Sequence, residues 1–413
     1  MRYAVVTFGC KLNQYDSAVV MARLEAMGAT ASESAAADVL LVNTCTVTHR
    51  ADRDARKAIR ALRRGNPGAL VAVMGCSSRR DRAVYARMPE VDAVLHDAGS
   101  VEAFLATLAP GGSPSAGRAC TPSFGDRTRA FLKVQEGCNF PCTYCVIPSV
   151  RGPSRSVPED LVAEEFRALC GAGYREIVLT GINTGEYGKD LRPGRSLVSL
   201  LERLLGEPGD ARIRLNSVEP RAVTGDLCAL LRSEGRLARH LQIPLQSGSD
   251  AVLAAMKRNY RADFYRDLVG RVAEEVPDIG LGADVLVGFP SESTEDFRAT
   301  ERLLEDLPLA FLHAFTYSPR PGTAAASMKP LPASVTGPRT AALRRLGAEK
   351  TRAFASRFVD RPLPAVTLAP RGEAGRALTD NFLDLTLEEK LPPNRFVEVR
   401  VTDADSMKAV VSR

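Results

Sequence analysis

The sequence predicts an α/β protein in three parts. These are an N-terminal open parallel α/β domain over residues 1–108, a central partial barrel of six β/α units over 124–355, and a small all-β domain over 356–413. Three observations carry this reading. Short apolar runs alternate with amphipathic helical stretches through most of the chain, as expected for parallel sheets with crossover helices. The segment LAPGGSPSAGRACTPSFGDR at 108–127 interrupts that alternation with Pro, Gly and Ser and reads as a linker. From Pro362 onward the pattern shortens to β-like runs, AVTLAP, FLDLTLEE, RFVEVRV and KAVV.

In the first part, strands are expected at Tyr3–Thr7, Val39–Asn43, Leu70–Met74 and Ala93–Leu95, with helices at about Gln14–Met27 and His49–Arg64. In the second, six strands are expected: Ala130–Gln135, Glu176–Thr180, Arg212–Ser217, Leu241–Leu245, Gly282–Val287 and Leu312–Tyr317. Helical patterns such as Leu161–Cys170, Leu197–Leu205 and Thr294–Leu307 separate them, the last with Ser293 as N-cap. Six units suit a partial barrel better than a complete eightfold one. A basic helical segment, about Arg339–Arg357, leads into the β-rich end.

Composition narrows the function. With 45% hydrophobic and 25% charged residues, the 413-residue chain fits neither disorder, collagen-like repeats nor coiled coil. No apolar run approaches the roughly 18 residues of a membrane span. MRYAVVTFGC reads as a strand rather than a signal peptide, so a cytoplasmic location with no membrane partner is expected. The nine cysteines, odd in number, then point to metal or redox chemistry or to plain burial rather than disulfides. The four histidines show no metal-binding spacing, so any bound metal must rest on thiolates.

Cys138, Cys142 and Cys145 form C-x₃-C-x₂-C in EGCNFPCTYC, directly after the first strand of the central part. An iron–sulfur cluster normally takes four cysteine ligands, so three leave one iron open to a small molecule. A zinc knuckle would need a fourth ligand, and none lies close by in sequence. Cys10, Cys45 and Cys76 are far apart, yet each falls just past the end of a strand (VVTFGC, LLVNTC, AVMGC). In a parallel sheet those loops share the ligand-binding edge, where three thiolates could hold a second cluster. The plainer reading is three unrelated buried cysteines. Cys170 and Cys228 sit in amphipathic helical patterns and read as core; Cys120 lies in the linker.

These six cysteines carry a family resemblance. C-x₃-C-x₂-C opening a six-unit α/β domain resembles the radical S-adenosylmethionine (SAM) enzymes. The preceding three-cysteine domain is similar to that of the methylthiotransferases, which end in a small β-barrel TRAM domain. FGCKLNQYDS, NTCTVT, KVQEGCNFPCTYC, LTGINTGEYG, PLQSGS and DVLVGFP resemble the subfamily acting on threonylcarbamoyladenosine in tRNA. The resemblance implies a radical-SAM barrel and a TRAM-like β domain. It implies two 4Fe–4S clusters: a radical one on Cys138, Cys142 and Cys145, which chelates SAM, and an auxiliary one on Cys10, Cys45 and Cys76, which presents sulfur. SAM would serve as radical source and methyl donor, and the product would be a methylthio group on adenine at position 37, beside the anticodon. The partners implied are a tRNA anticodon loop, an electron donor such as flavodoxin or ferredoxin, and a sulfur donor.

Position at the C-terminal ends of the barrel strands adds further candidates. Gly181, Asn183 and Gly185 could admit the methionine moiety. Ser217, Glu219 and Gln246 could contact ribose or the methionine head, and Tyr144 and Ile147 could pack on adenine. Asp284 is a further candidate. Arg151 or Arg155 could grip the carboxylate of a threonylcarbamoyl group.

Arg53, Arg56, Lys57, Arg60, Arg63 and Arg64 form a basic stripe on one helix, opposite Ala55, Ile59 and Leu62, with Asp52 and Asp54 interrupting it. Such a stripe suits RNA phosphates, or is simply a solvated face. Arg339, Arg344, Arg345, Lys350, Arg352 and Arg357 form a second candidate. Residues 361–413 are charge-neutral, so RNA binding there would fall to a few arginines such as Arg371, Arg376 and Arg395. The competing functions are methylthiolation of isopentenyladenosine or of a ribosomal protein, and a non-catalytic iron–sulfur sensor that binds RNA.

Overall fold

In the computed structural model, which describes residues 1–108, 122, 124–125 and 128–412, the strands of the first part assemble as a parallel sheet. They are β1 (Arg2–Thr7), β2 (Thr30–Ala31), β3 (Val39–Thr44), β4 (Leu70–Gly75) and β5 (Ala93–Leu95), in the order β2-β1-β3-β4-β5. β3 is buried at all six residues, which its unbroken apolar run VLLV allows. The registers, Tyr3 opposite Val39 and Val39 opposite Leu70, align the C-terminal ends of β1, β3 and β4 on one edge. Helices Lys11–Ala26 and His49–Gly65 cross over between strands, the second capped by the Thr48 hydroxyl accepting from the Ala51 amide. The first helix starts three residues earlier than its apolar pattern suggests. The two-residue β2 lies outside any sequence pattern.

Two compact units result. The first contains this sheet, residues 1–125, together with segments 145–153 and 318–323. The second contains 126–144, 154–317 and 324–413.

The second unit holds β6 (Ala130–Lys133), a hairpin of β7 (Gln135–Glu136) with β8 (Arg155–Ser156), then β9 (Glu176–Thr180), β10 (Arg212–Leu215), β11 (His240–Gln242), β12 (Gly280–Val287) and β13 (Phe311–Thr316). Two parallel three-stranded sheets, β10-β9-β6 and β11-β12-β13, are linked by the bridges Ile213–Leu237 and Ser217–Gln242. This is the expected partial barrel of six parallel strands. Helix Thr294–Asp306 is capped by Ser293, whose hydroxyl accepts from the Asp296 amide at 3.1 Å.

The end of the chain forms a closed five-stranded barrel of β14 (Pro362–Arg371), β15 (Ala374–Thr379), β16 (Asp384–Leu387), β17 (Phe396–Asp403) and β18 (Lys408–Val411). Of these, β15 escaped the sequence reading because AGRALT carries little alternation. Its loop to β16 closes the floor of the parallel barrel. Arg212 and Arg214, at the start of β10, donate to the carbonyls of Leu378, Thr379 and Asp380 at 2.8–3.0 Å. His240 stacks on Phe382 with ring centroids 4.1 Å apart. A Cβ at Gly280 would lie 2.0 Å from the Asn381 carbonyl, so only glycine admits the loop there. Fully buried Glu176 pairs with both arginines at the centre.

Candidate functional site

Cys10, Cys45 and Cys76 leave the ends of β1, β3 and β4, and the local backbone explains how the three loops close on one another. Gly9 and Gly75, each just before a cysteine, have φ of +101° and +99°. A Cβ at Gly9 would lie 2.8 Å from Cys45 Cβ, and one at Gly75 would lie 2.2 Å from Asn43 Oδ1. Asn13 joins the loops: Nδ2 donates to the carbonyls of Phe8 and Thr44, both at 2.9 Å. Its Oδ1 lies 3.9 Å from Cys10 Sγ and 3.7 Å from Cys76 Sγ. Burial pushes the Cys45 thiol up to about 11, and the nearby Cys76 and Cys10 thiols add to that push. Burial raises Cys76 as well, against the opposing charge of Arg151. A metal or cluster that takes their protons fits this donor set.

Arg151 belongs to this site. Its side chain is buried, with Nε donating to Cys76 Sγ at 3.2 Å and Nη2 donating to Asn13 Oδ1 at 2.8 Å and Asp16 Oδ2 at 2.9 Å. It is therefore committed within the protein and unavailable to grip a substrate carboxylate, which corrects the expectation for Arg151. Arg155 is exposed on β8 and keeps that role open. Asp52 also leaves its expected place in the basic stripe. It is buried, accepts from Ser77 Oγ at 2.6 Å and Arg80 Nη2 at 3.1 Å, and pairs with Arg320, which in turn donates to Thr46 Oγ1 at 2.8 Å. Sequence reasoning missed Asn13, Asp16 and Arg320; for the first two the polar run KLNQYDS directly after Cys10 was the available signal.

In the second unit, Cys138 and Cys142 sit on the loop after β7. The Phe140 amide donates to Cys138 Sγ at 3.4 Å. Arg258 Nη1 donates to Cys142 Sγ at 3.3 Å, and Arg258 also pairs with Glu219. Burial raises the Glu219 carboxyl, with Arg258 opposing it. Asn183 lies beside Cys138, is buried, and its side-chain oxygen and nitrogen make no well-formed hydrogen bond among the described residues. An orphaned buried amide fits a polar ligand there. Gln135 fixes this loop: Oε1 accepts from the amides of Ile182 and Asn183 at 3.0 and 2.9 Å, and Nε2 donates to the Gly137 carbonyl at 2.7 Å. Gly181 and Gly185 are needed by packing, since a Cβ would meet Gln135 Oε1 at 3.0 Å and Ala222 Cβ at 2.4 Å.

The remaining candidates are placed as follows. The Ser217 carbonyl accepts from Thr184 Oγ1 at 2.9 Å. Gln246 has φ of +67°, rare for a residue with a side chain, at the end of the fourth barrel strand's buried continuation. Tyr144 packs against Met256, Phe289 and Tyr317. Asp284 accepts from Gln242 Nε2 at 3.0 Å. Cys145 begins segment 145–153 of the first unit, whose helix Ile147–Arg151 starts at Ile147. Cys228 is buried as expected, Cys170 is only half-buried, and Cys120 lies outside the described residues. A cleft of about 920 Å³ opens beside Glu219, lined by Phe140, Gly185, Lys189, Arg195 and Arg221 among others.

The basic stripe is narrower than its sequence. Arg63 donates to the carbonyls of Pro67, Ala69 and Glu90 and pairs with Asp92, so it anchors the helix end. Arg53, Lys57, Arg60 and Arg64 remain exposed along one face. In the second segment, Arg339 pairs with Glu292 at 2.6 Å, Arg357 lies 3.4 Å from Asp278, and Lys350 donates to the carbonyls of Glu305 and Leu307. Arg344 and Arg345 face outward. Arg371 and Arg395 are exposed, whereas Arg376 pairs with Asp384 at 2.6 Å.

Residues 2–96 match the family described as "Uncharacterized protein family UPF0004", and residues 132–304 match the radical SAM superfamily. The threonylcarbamoyladenosine tRNA methylthiotransferase MtaB of Aquifex aeolicus is 34% identical over 417 residues, covering 97% of this chain and 100% of that one. The MtaB of Bacillus subtilis is 36% identical over 337 residues, 78% of this chain and 75% of that one. A tRNA-2-methylthio-N(6)-dimethylallyladenosine synthase of Thermobifida fusca is 34% identical over 431 residues, 97% and 87% of the two chains. Among solved structures, the radical SAM methyltransferase TsrM of Kitasatospora setae, with cobalamin and a [4Fe-4S] cluster bound, superposes with a TM-score of 0.58 at 14% identity. It covers 79% of this chain and 77% of that one, a likeness of fold alone.

Proposed function

Because this chain belongs to the radical SAM tRNA methylthiotransferases, we propose that it adds a methylthio group to the adenine ring of threonylcarbamoyladenosine, next to the anticodon of tRNA. The observation that supports this reading is that the Cys10 and Cys76 thiols both face Asn13 Oδ1, at 3.9 and 3.7 Å, while Cys45 lies against the neighbouring Gly9 turn, in a chain that also carries C-x₃-C-x₂-C. Cys138, Cys142 and Cys145 would hold one 4Fe–4S cluster, and Cys10, Cys45 and Cys76 the other. When bound, the clusters would supply the electron that cleaves SAM and the sulfur to be transferred, with SAM as radical source and methyl donor.

The chain's own residues bind and orient. The Asn183 amide offers a donor and an acceptor to the amino and carboxylate groups of SAM. Gln135 holds that amide's backbone in place. Arg258 and Glu219 set the charge beside Cys142, and within the second unit Tyr144, Ser217 and Gln246 are our candidates for the cofactor border. Gly181 and Gly185 let the loops pack closely enough to form that border. Arg155, exposed and cationic, receives the threonylcarbamoyl carboxylate. The exposed face of Arg53, Lys57, Arg60 and Arg64 engages phosphates of the tRNA. A reduced flavodoxin or ferredoxin supplies electrons, and a separate donor replenishes sulfur.

The identity to the Thermobifida fusca synthase favours a dimethylallyl substituent as the second reading. An uncharged substituent would call for an apolar pocket in place of Arg155. Purified enzyme is offered tRNA carrying threonylcarbamoyladenosine, tRNA carrying dimethylallyladenosine, and small-subunit ribosomal protein. Nucleoside and peptide mass spectrometry then reads the methylthio mass gain. Gain on the first substrate is the expected result; gain confined to either of the others overturns the substrate while leaving the reaction class.

A further inference from the structure

Arg151 is a buried cation with a ligand thiol as one of its hydrogen-bond acceptors. Its side chain is 1% exposed, and its Nε lies 3.2 Å from Cys76 Sγ. Two further acceptors fix the guanidinium: Asn13 Oδ1 at 2.8 Å and Asp16 Oδ2 at 2.9 Å. Asn13 is also the residue whose Oδ1 faces the Cys10 and Cys76 thiols, so the fork and the thiols share one anchor. The hydrophobic side of the same helix is pinned as well, because Val146 and Val150 pack on Cys76. The helix follows directly on Cys145, within the short segment 145–153. One stretch of chain thus carries a cysteine of one triad and the cation that touches a cysteine of the other.

We propose that Arg151 is a positioning residue for the auxiliary cluster, holding Cys76 in its ligating orientation and raising that cluster's reduction potential. The inference rests on the reading of Cys10, Cys45 and Cys76 as cluster ligands. Its physical basis is general. Hydrogen bonds to cluster sulfurs and the net charge around a cluster set its potential, and both a donated N–H and a nearby positive charge favour the more negative, reduced form. In a water-excluded site these effects are not screened away. Asp16 acts with the opposite sign, because its carboxylate offsets the guanidinium.

The test isolates one cluster. In full-length protein with Cys138, Cys142 and Cys145 replaced by Ala, anaerobic reconstitution should leave about four irons per chain. The midpoint potential of that cluster is then measured by EPR-monitored titration. Arg151→Met should shift it to more negative values, Arg151→Lys should shift it less, and Asp16→Asn should shift it to more positive values. Shifts of opposite sign at Arg151 and Asp16 are not produced by loss of packing alone. Should Arg151→Met lose its iron, Arg151→Lys and Asp16→Asn carry the measurement. Midpoints equal to the parent in those iron-replete variants overturn the role of Arg151 while leaving the two-cluster reading intact. Absence of iron from the parent protein overturns both.

Discussion

Glu176→Gln is expected to be among the most costly single substitutions in the second unit. The Glu176 side chain is fully buried at the start of β9. Its Oε1 accepts from Arg214 Nε at 2.9 Å and Arg129 Nη1 at 3.3 Å, and its Oε2 from Arg212 Nε at 2.8 Å and Arg214 Nη2 at 2.9 Å. Burial alone would raise the carboxyl; the attraction of Arg214 and Arg212 overrides it and holds the group well below the usual carboxylate range. The amide removes the only negative charge contacting three guanidinium groups here among the described residues. Breaking a buried pair by removing one partner costs about 3–5 kcal/mol. Unfolding a unit of roughly 270 residues releases about 2.1 cal/mol/K per residue, so the melting temperature should fall by about 5–9 °C. The sign with pH follows from the depressed value. The stabilisation is present above the unfolded carboxyl's 4.5 and is lost as pH falls below it, so the wild type should lose stability with acid more steeply than the variant. Calorimetric scans at pH 7 and pH 4 read both effects. Adding Arg214→Met should recover part of the loss, since it removes one stranded cation. A single variant melting within about 1 °C of wild type at pH 7 would refute the reasoning.

Changing Cys10, Cys45 and Cys76 together to Ala should remove about half of some eight irons and leave part of the SAM cleavage to 5′-deoxyadenosine, whereas the Cys138, Cys142 and Cys145 set should abolish cleavage. Iron analysis and liquid chromatography distinguish the two sets, and unchanged iron in the first would sink the two-cluster reading. Glu219→Gln leaves Arg258 without its carboxylate beside Cys142, and should lower the rate of 5′-deoxyadenosine formation about tenfold or more, equivalent to about 1.4 kcal/mol; a rate within twofold of wild type counts against it. Replacing Arg53, Lys57 and Arg64 with Glu should weaken tRNA binding and flatten its salt dependence, because fewer counterions are released. Arg63→Ala should instead lower stability while leaving the slope unchanged, and a salt series of filter-binding curves separates the two.

The strand pattern was legible because it follows from burial. VLLV in β3 and the IVL of β9 are apolar on both faces, and both strands sit inside their sheets. The C-x₃-C-x₂-C spacing was legible as a local pattern, and the placement of Cys10, Cys45 and Cys76 past the ends of β1, β3 and β4 was enough to bring them to one sheet edge. What escaped was polar and long-range. From the sequence Arg151 is a candidate to grip a substrate carboxylate, and the partners that instead hold it, Asn13 and Asp16, lie far away in the chain. Arg63 counted toward a stripe although its acceptors are backbone carbonyls, which carry no sequence signal. RIRL read as an ordinary strand start, although Arg212 and Arg214 point together into a charged floor. Period-two spacing puts them on one face but does not say that a glutamate waits there.

The floor loop also orders events during synthesis. Arg129, Arg212 and Arg214 leave the ribosome well before the carbonyls of Leu378, Thr379 and Asp380 that two of them require, because a chain emerges from its N-terminus. Until those later residues arrive, the nascent barrel must keep its guanidinium groups hydrated. The lower mouth of the barrel consequently stays wet until the β15–β16 segment has been made, and drying it comes after the six parallel strands are complete. A ribosome stalled before the β15–β16 segment would therefore leave a chain with Cys10, Cys45, Cys76, Cys138, Cys142 and Cys145 all present and its barrel still open to water from below.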